Sequence, residues 1–166
     1  DLYEDCEHLL PEGESIPYVD QDAHSKRLMD SCDWRKFDIT EDQVRRARRG
    51  YFANISYIDD KIGRIVATLE ACGLRDNTVV VFAVDHGEML GERGMWFKQT
   101  FYEWSARIPL FIAGPGIAHR RIAAHASLVD LLPTLLELAT DGRPPEPVDP
   151  LDGRSLVPLM TGAERG

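Results

Sequence analysis

Asp85, His86 and Lys98 are the residues of this 166-residue chain whose types and spacing point to chemistry. They lie in VVVFAVDHGEMLGERGMWFKQ, Val79 to Gln99, where an apolar run from Thr78 to Val84 gives way to Asp85-His86-Gly87. A carboxylate beside an imidazole can hold a divalent cation, and the imidazole can instead act as a general acid or base. Neighbours on a loop can both face one ion, whereas within a strand they point to opposite faces. Gly87 permits a tight turn or a close approach to a ligand. Lys98 offers a point charge for an anionic oxygen. The plainer reading is a turn after a strand, followed by a solvated lysine. Two ligands are also fewer than a metal site needs, so the others must come from elsewhere.

The elements that must position these residues follow from pattern. TVVVFAV is a β-branched, unbroken apolar run that suits a central strand covered on both faces. Thr40 and Gln43 form a T-x-x-Q capping box. Behind it Val44, Ala47, Tyr51, Ile55, Ile58, Ile62, Val66 and Leu69 make one apolar helical stripe, stopped by Gly73. Gly50 and Gly63 weaken that helix by roughly 1 kcal/mol each against alanine. RIPLFIAGPG, Arg107 to Gly116, predicts a second strand, and SLVDLLPTLLELA, Ser127 to Ala139, a short helix. Residues 141 to 150 read as loop, and LDGRSLVPLM packs back at the end. Residues 1–38 form an irregular segment with one short helix, and 39–166 the main part of a single, incomplete domain. Helix, strand, loop, strand, helix predicts an α/β layered fold with a mostly parallel central sheet flanked by helices. In such sheets ligands gather beyond the carboxyl ends of strands, the place Asp85 and His86 occupy.

Hydrophobic residues make up 43% and charged residues 28%, the balance of a globular domain. A net charge of -9 argues against nucleic acid as a partner. The cluster Arg45-Arg46 with Arg48-Arg49 reads as a solvated helix face or a set of ion pairs. No apolar run approaches the roughly 18 residues that span a bilayer, so no membrane partner is expected. Opening on Asp1 and closing without a cap at 161–166, the chain reads as an internal portion of something longer. Cys6, Cys32 and Cys72, odd in number and irregular in spacing, suggest neither disulfides nor zinc. Free cysteines in a reducing, cytoplasmic compartment are expected.

DHGEMLGERGMWFK, FYEWSARIPLFIAGPG and SLVDLLPTLLELA together closely resemble the sulfatase family of the alkaline-phosphatase superfamily. The resemblance extends through RRARRGYFANISYIDDKIGRIVATLE and LDGRSLVPLM, covering nearly all of Asp38 to Gly162. The opening, DLYEDCEHLLPEGESIPYVDQDAHSKRLMDSCDW, is similar to choline-sulfatases in particular. The resemblance implies hydrolysis of a small-molecule sulfate monoester, choline-O-sulfate among them, by a formylglycine nucleophile and a divalent cation. Asp85 and His86 match the family's late pair of metal ligands, and Lys98 the lysine that contacts the sulfate. Such ester cleavage needs charge neutralised on the equatorial oxygens, which a metal and an ammonium supply. The family's C-x-P-x-R or C-x-A-x-R motif follows none of the three cysteines, and the early aspartate ligands are absent as well. Both are expected outside these residues, leaving half a site that is inactive by itself. His86 stands where many sulfatases have asparagine. Imidazole suits calcium less than oxygen does, so calcium, manganese and magnesium all stay open. The resemblance also implies a homo-oligomer. Two alternatives stand beside it: a phosphonate or phosphate ester hydrolase of the same superfamily, and a non-catalytic, ion-stabilised interaction module.

Other residues carry plainer expectations. Glu88 and Glu92 read as solvated loop carboxylates, with a role in orienting Lys98 or the metal ligands as the alternative. Glu103 and Arg107 suit a buried structural pair. His24, in the choline-sulfatase-like DAHSKR, reads as a surface residue or one near the substrate entrance; His8, His119 and His125 read as surface. Trp34, Tyr51, Phe52 and Tyr57 offer faces to a quaternary ammonium, although helical spacing favours core packing for the last three. Asp59 and Asp60 read as surface. Trp104, where relatives often have a small residue, either packs under the site or narrows the pocket.

Overall fold

The computed structural model describes residues 3, 9–140, 143 and 150–163. In chain order they form α1 (Ala23–Ser31), α2 (Glu41–Ala71), β1 (Val80–Ala83), α3 (Glu103–Ala106), β2 (Leu110–Ala113), α4 (Leu131–Ala139) and α5 (Val157–Thr161). Two compact units result, Asp1–Leu74 with Ala83–Leu110, and Arg75–Phe82 with Phe111–Gly166. No helix among the described residues is long and apolar enough to cross a membrane. The Pro-rich loop expected at 141 to 150 lies almost wholly outside the described residues, as do Cys6 and His8.

In the first unit, the irregular opening carries one regular helix, α1, as its composition predicts. Asp22 caps α1 by accepting from the backbone of His24 and Ser25. Thr40 and Gln43 form the expected capping box at the head of α2. The apolar stripe of α2 does not become core. Tyr51, Ile55, Tyr57 and Ile58 are exposed, Phe52 is half-buried beside Tyr3, and the helix's buried residue is Arg48. The amphipathic period was sound, but that face is only partly covered: Val44, Ile62, Val66 and Leu69 are half-buried and none of the stripe is fully buried. The packed centre is instead built on Met29, Met89 and Met95, walled by Tyr18, Leu28, Trp34, Tyr102 and Trp104. Unbranched methionines fill the irregular gaps left between loops that share no regular interface.

In the second unit β1 pairs with β2. Val79 lies against Gly114 and Phe82 against Phe111, so the two strands run antiparallel. The mostly parallel sheet expected from the sequence is therefore not what this ladder displays. A parallel neighbour needs a crossover long enough to return to the same end, usually helical. Here the chain comes back from the site loop through the single turn of α3 into β2. β1 is half-buried along its length, and β2 alternates half-buried with exposed. The closing segment packs back as predicted. Thr134 Oγ1 donates to the Asp130 carbonyl and accepts from the Leu156 amide at 2.9 Å, while Leu156, Leu159 and Met160 are buried.

Candidate functional site

Past β1 the chain leaves regular structure, and the side chains of Asp85 and His86 converge. His86 Nδ1 donates to the Gly87 carbonyl at 2.7 Å, since a carbonyl has no proton to give. In the neutral ring Nε2 then carries the lone pair. That nitrogen lies 3.5 Å from Oδ2 of Asp85, whose other oxygen accepts from the His86 amide at 3.1 Å. Two lone-pair atoms facing one another are the donor set a divalent cation satisfies, with the second ring nitrogen oriented by a carbonyl. The pair therefore fits as two ligands of such an ion. Among the described residues no cluster of three or more His, Cys, Asp or Glu completes the set.

Gly87 is required by packing. A Cβ there would meet the Trp104 carbonyl oxygen at 1.9 Å. The Gly87 and Glu88 amides donate at 2.8 Å to the carbonyls of Ser105 and Trp104. Trp104 thus packs under the site loop: its backbone holds the turn, its ring joins the methionine core, and the Arg93 guanidinium lies 5.9 Å from that ring.

Lys98 is carried back toward the site by a folded loop. Met89 donates to Phe97 and Gly91 to Met95, each at 2.8 Å, so Lys98 falls beside the register position of Glu88. The backbone on both sides of it is left-handed, with φ of 66° at Phe97 and 55° at Gln99. Side-chain-bearing residues adopt that region only where their surroundings fix it, and such strain gathers at functional sites. The Lys98 ammonium has no hydrogen bond or ion pair among the described residues. A cavity of about 60 Å³ adjoins Lys98, and Trp34 and Trp96 line it with their ring centroids 6.3 Å apart.

Glu92 corrects an expectation. It is 1% exposed, not solvated, and its Oε1 accepts from Arg48 Nη1 and the Glu12 amide while Oε2 accepts from the Gly13 amide, all at 3.1 Å. Arg48 Nη1 also donates to the Leu90 carbonyl at 3.0 Å, so one member of the basic cluster is a buried fastener. Glu88 is half-buried; partial desolvation and then the Glu88 charge raise the pKa of Tyr51. The pair Glu103 and Arg107 is exposed, not buried, because α3 turns both side chains outward at 3.7 Å. Asp59, Asp60, His119 and His125 are exposed as expected. His24 is half-buried, and its Nε2 donates to the Gln99 carbonyl at 2.6 Å, one residue from Lys98. Neither Glu92 nor His24 was singled out by spacing. The signals present were the acid within the glycine-bracketed GERG turn, for which a solvated carboxylate was the preferred reading, and the DAHSKR segment around His24.

The sulfatase family model matches residues 17–141, and the chain belongs to the sulfatase family. The choline-sulfatase of Rhizobium meliloti (strain 1021) is 55% identical over 166 residues, covering 99% of this chain and 32% of that protein. Arylsulfatase K of Gallus gallus is 38% identical over 124 residues, 74% of this chain and 22% of that one. Among solved structures, the phosphonate monoester hydrolase of Agrobacterium radiobacter superposes with a TM-score of 0.71 at 34% identity. That match covers 76% of this chain and 25% of the hydrolase. The chain thus spans about a third or less of the length of these relatives. The solved structures it resembles have the alkaline-phosphatase-like fold.

Proposed function

We propose that the polypeptide carrying these residues is a sulfuric ester hydrolase that cleaves choline-O-sulfate to choline and sulfate. The geometry that carries this reading is the pairing of Asp85 Oδ2 with His86 Nε2, 3.5 Å apart, beyond β1. Asp85 and His86 would hold a divalent cation, with calcium favoured over manganese or magnesium. When bound, the cation neutralises sulfate oxygens, and a formylglycine outside these residues supplies the nucleophile. The Gly87 carbonyl keeps the His86 proton on Nδ1, so the lone pair of Nε2 stays available to a cation. Lys98, unpaired among the described residues, contacts the sulfate and stabilises charge that grows on its oxygens in the transition state. Trp34 and Trp96, beside Lys98, offer faces suited to a quaternary ammonium. A mostly parallel sheet, homo-oligomeric assembly and a cytoplasmic setting belong to the same reading of the whole protein.

Likeness to two phosphonate monoester hydrolases, at 35% and 34% identity, supports a second reading on the same residues. Rates on choline-O-sulfate, a phosphonate monoester and a phosphodiester separate the two. The proposal expects the sulfate ester to have the highest kcat/KM. A higher value on the phosphonate would replace it with the second reading, and turnover of none of them would favour a non-catalytic module.

A further inference from the structure

We infer that His24 is a positioning residue for Lys98; the inference rests on the reading of Lys98 as the sulfate contact. Lys98 sits between two residues held in left-handed backbone, Phe97 and Gln99. A short segment keeps such a conformation only if its peptide groups are tied on both sides. One tie is main-chain, from the Met89 amide to the Phe97 carbonyl at 2.8 Å. The other is a side chain: His24 Nε2 donates to the Gln99 carbonyl at 2.6 Å.

His24 is itself fixed from below. Its amide is one of the two that Asp22 caps at the head of α1, at 2.8 Å. Its ring also lies 6.3 Å from that of Phe101, centroid to centroid, in a tilted pair. Met29 of the same helix is part of the buried methionine core, which anchors α1 to the unit that holds the loop. The imidazole therefore transmits the position of a packed helix to the peptide that follows Lys98. Without it, the Gln99 carbonyl can turn to solvent, the left-handed residues can relax, and the ammonium loses its fixed direction. Misplacing a catalytic group by about 1 Å can cost on the order of 100-fold in rate.

The test uses the full polypeptide with choline-O-sulfate and compares His24→Leu, His24→Gln, Lys98→Ala and the double variant His24→Leu/Lys98→Ala. A glutamine amide reaches where Nε2 stood and can donate to Gln99; leucine cannot. The expected results are a fall in kcat/KM of about tenfold for His24→Leu, recovery to within about threefold for His24→Gln, and unchanged thermal unfolding for both. Lys98→Ala is expected to cost on the order of 100-fold or more, and adding His24→Leu to it to cost nothing further. Wild-type kcat/KM in His24→Leu, or the same tenfold loss with and without Lys98, would overturn the role assigned to His24. Wild-type activity in Lys98→Ala would overturn the reading of Lys98 beneath it, a result distinct from the first two. If His24→Leu unfolds, the same comparison is made with His24→Asn, which is too short to reach the carbonyl.

Discussion

Removing the Glu92 carboxylate tests whether the loop that carries Lys98 is fastened by a buried charge. In Glu92→Ala the Glu12 and Gly13 amides lose the carboxylate they donate to, and Arg48 loses its ion pair with Glu92. Breaking a buried ion pair by deleting one member costs about 3–5 kcal/mol. Arg48 keeps its bond to the Leu90 carbonyl, which puts the ion-pair part of the loss at the low end, about 3 kcal/mol, and the loss at the two amides adds to it. A second variant makes the reasoning sharper. Replacing a buried pair by apolar residues of similar size is often neutral, so Arg48→Met with Glu92→Leu would restore stability if the pair were all that mattered. Here it should not, because two backbone N–H groups still lose their acceptor, at about 1–3 kcal/mol each. Thermal and urea unfolding of the full polypeptide provide the readout. Stability within about 0.5 kcal/mol of wild type for Glu92→Ala, or full recovery in the double variant, would refute the argument.

Gly87→Ala should destabilise by about 3 kcal/mol, because its Cβ would meet the Trp104 carbonyl oxygen at 1.9 Å and backbone must give way; unfolding midpoints check it. Thr134→Val keeps the shape of a fully buried side chain but leaves the Leu156 amide without its acceptor, for an expected loss of about 1–3 kcal/mol by urea titration. The amides of Arg154 and then Ser127 hold the Asp130 carboxyl below its ordinary pKa. A folded pKa below the unfolded one means stabilisation that is complete above about pH 4 and lost as pH falls through the folded value. The stability difference between wild type and Asp130→Asn should therefore shrink on acidification below about pH 4, and a difference that is flat with pH contradicts this.

Local signals carried most of the architecture. The Thr40 and Gln43 cap, the period of α2, the β-branched run of β1 and the return of LDGRSLVPLM all depend on neighbours in sequence, and each appears where its residues predict. Strand direction did not follow, because whether β2 returns beside β1 is decided by long-range pairing and not by either strand's own residues. The stripe on α2 was legible as a period but not as a core, since burial depends on what lies opposite. The pair Asp85 and His86 was legible because adjacency and position after a strand suffice to bring them together. What holds Lys98 was not. Glu92 and His24 act through backbone amides and carbonyls of distant segments, and a carbonyl acceptor leaves no mark on residue type. The left-handed Phe97 and Gln99 likewise give no compositional hint, since neither is the glycine that such φ values favour.

Sulfate release from choline-O-sulfate by the full polypeptide, before and after chelation and with Asp85→Ala and Lys98→Ala alongside, tests the central claim most directly. The expected result is release that chelation abolishes and a divalent cation restores. A loss of about 100-fold or more in kcat/KM is also expected for each variant, with folding intact. No sulfate release by the intact protein, or release that survives both chelation and loss of Lys98, would contradict that claim.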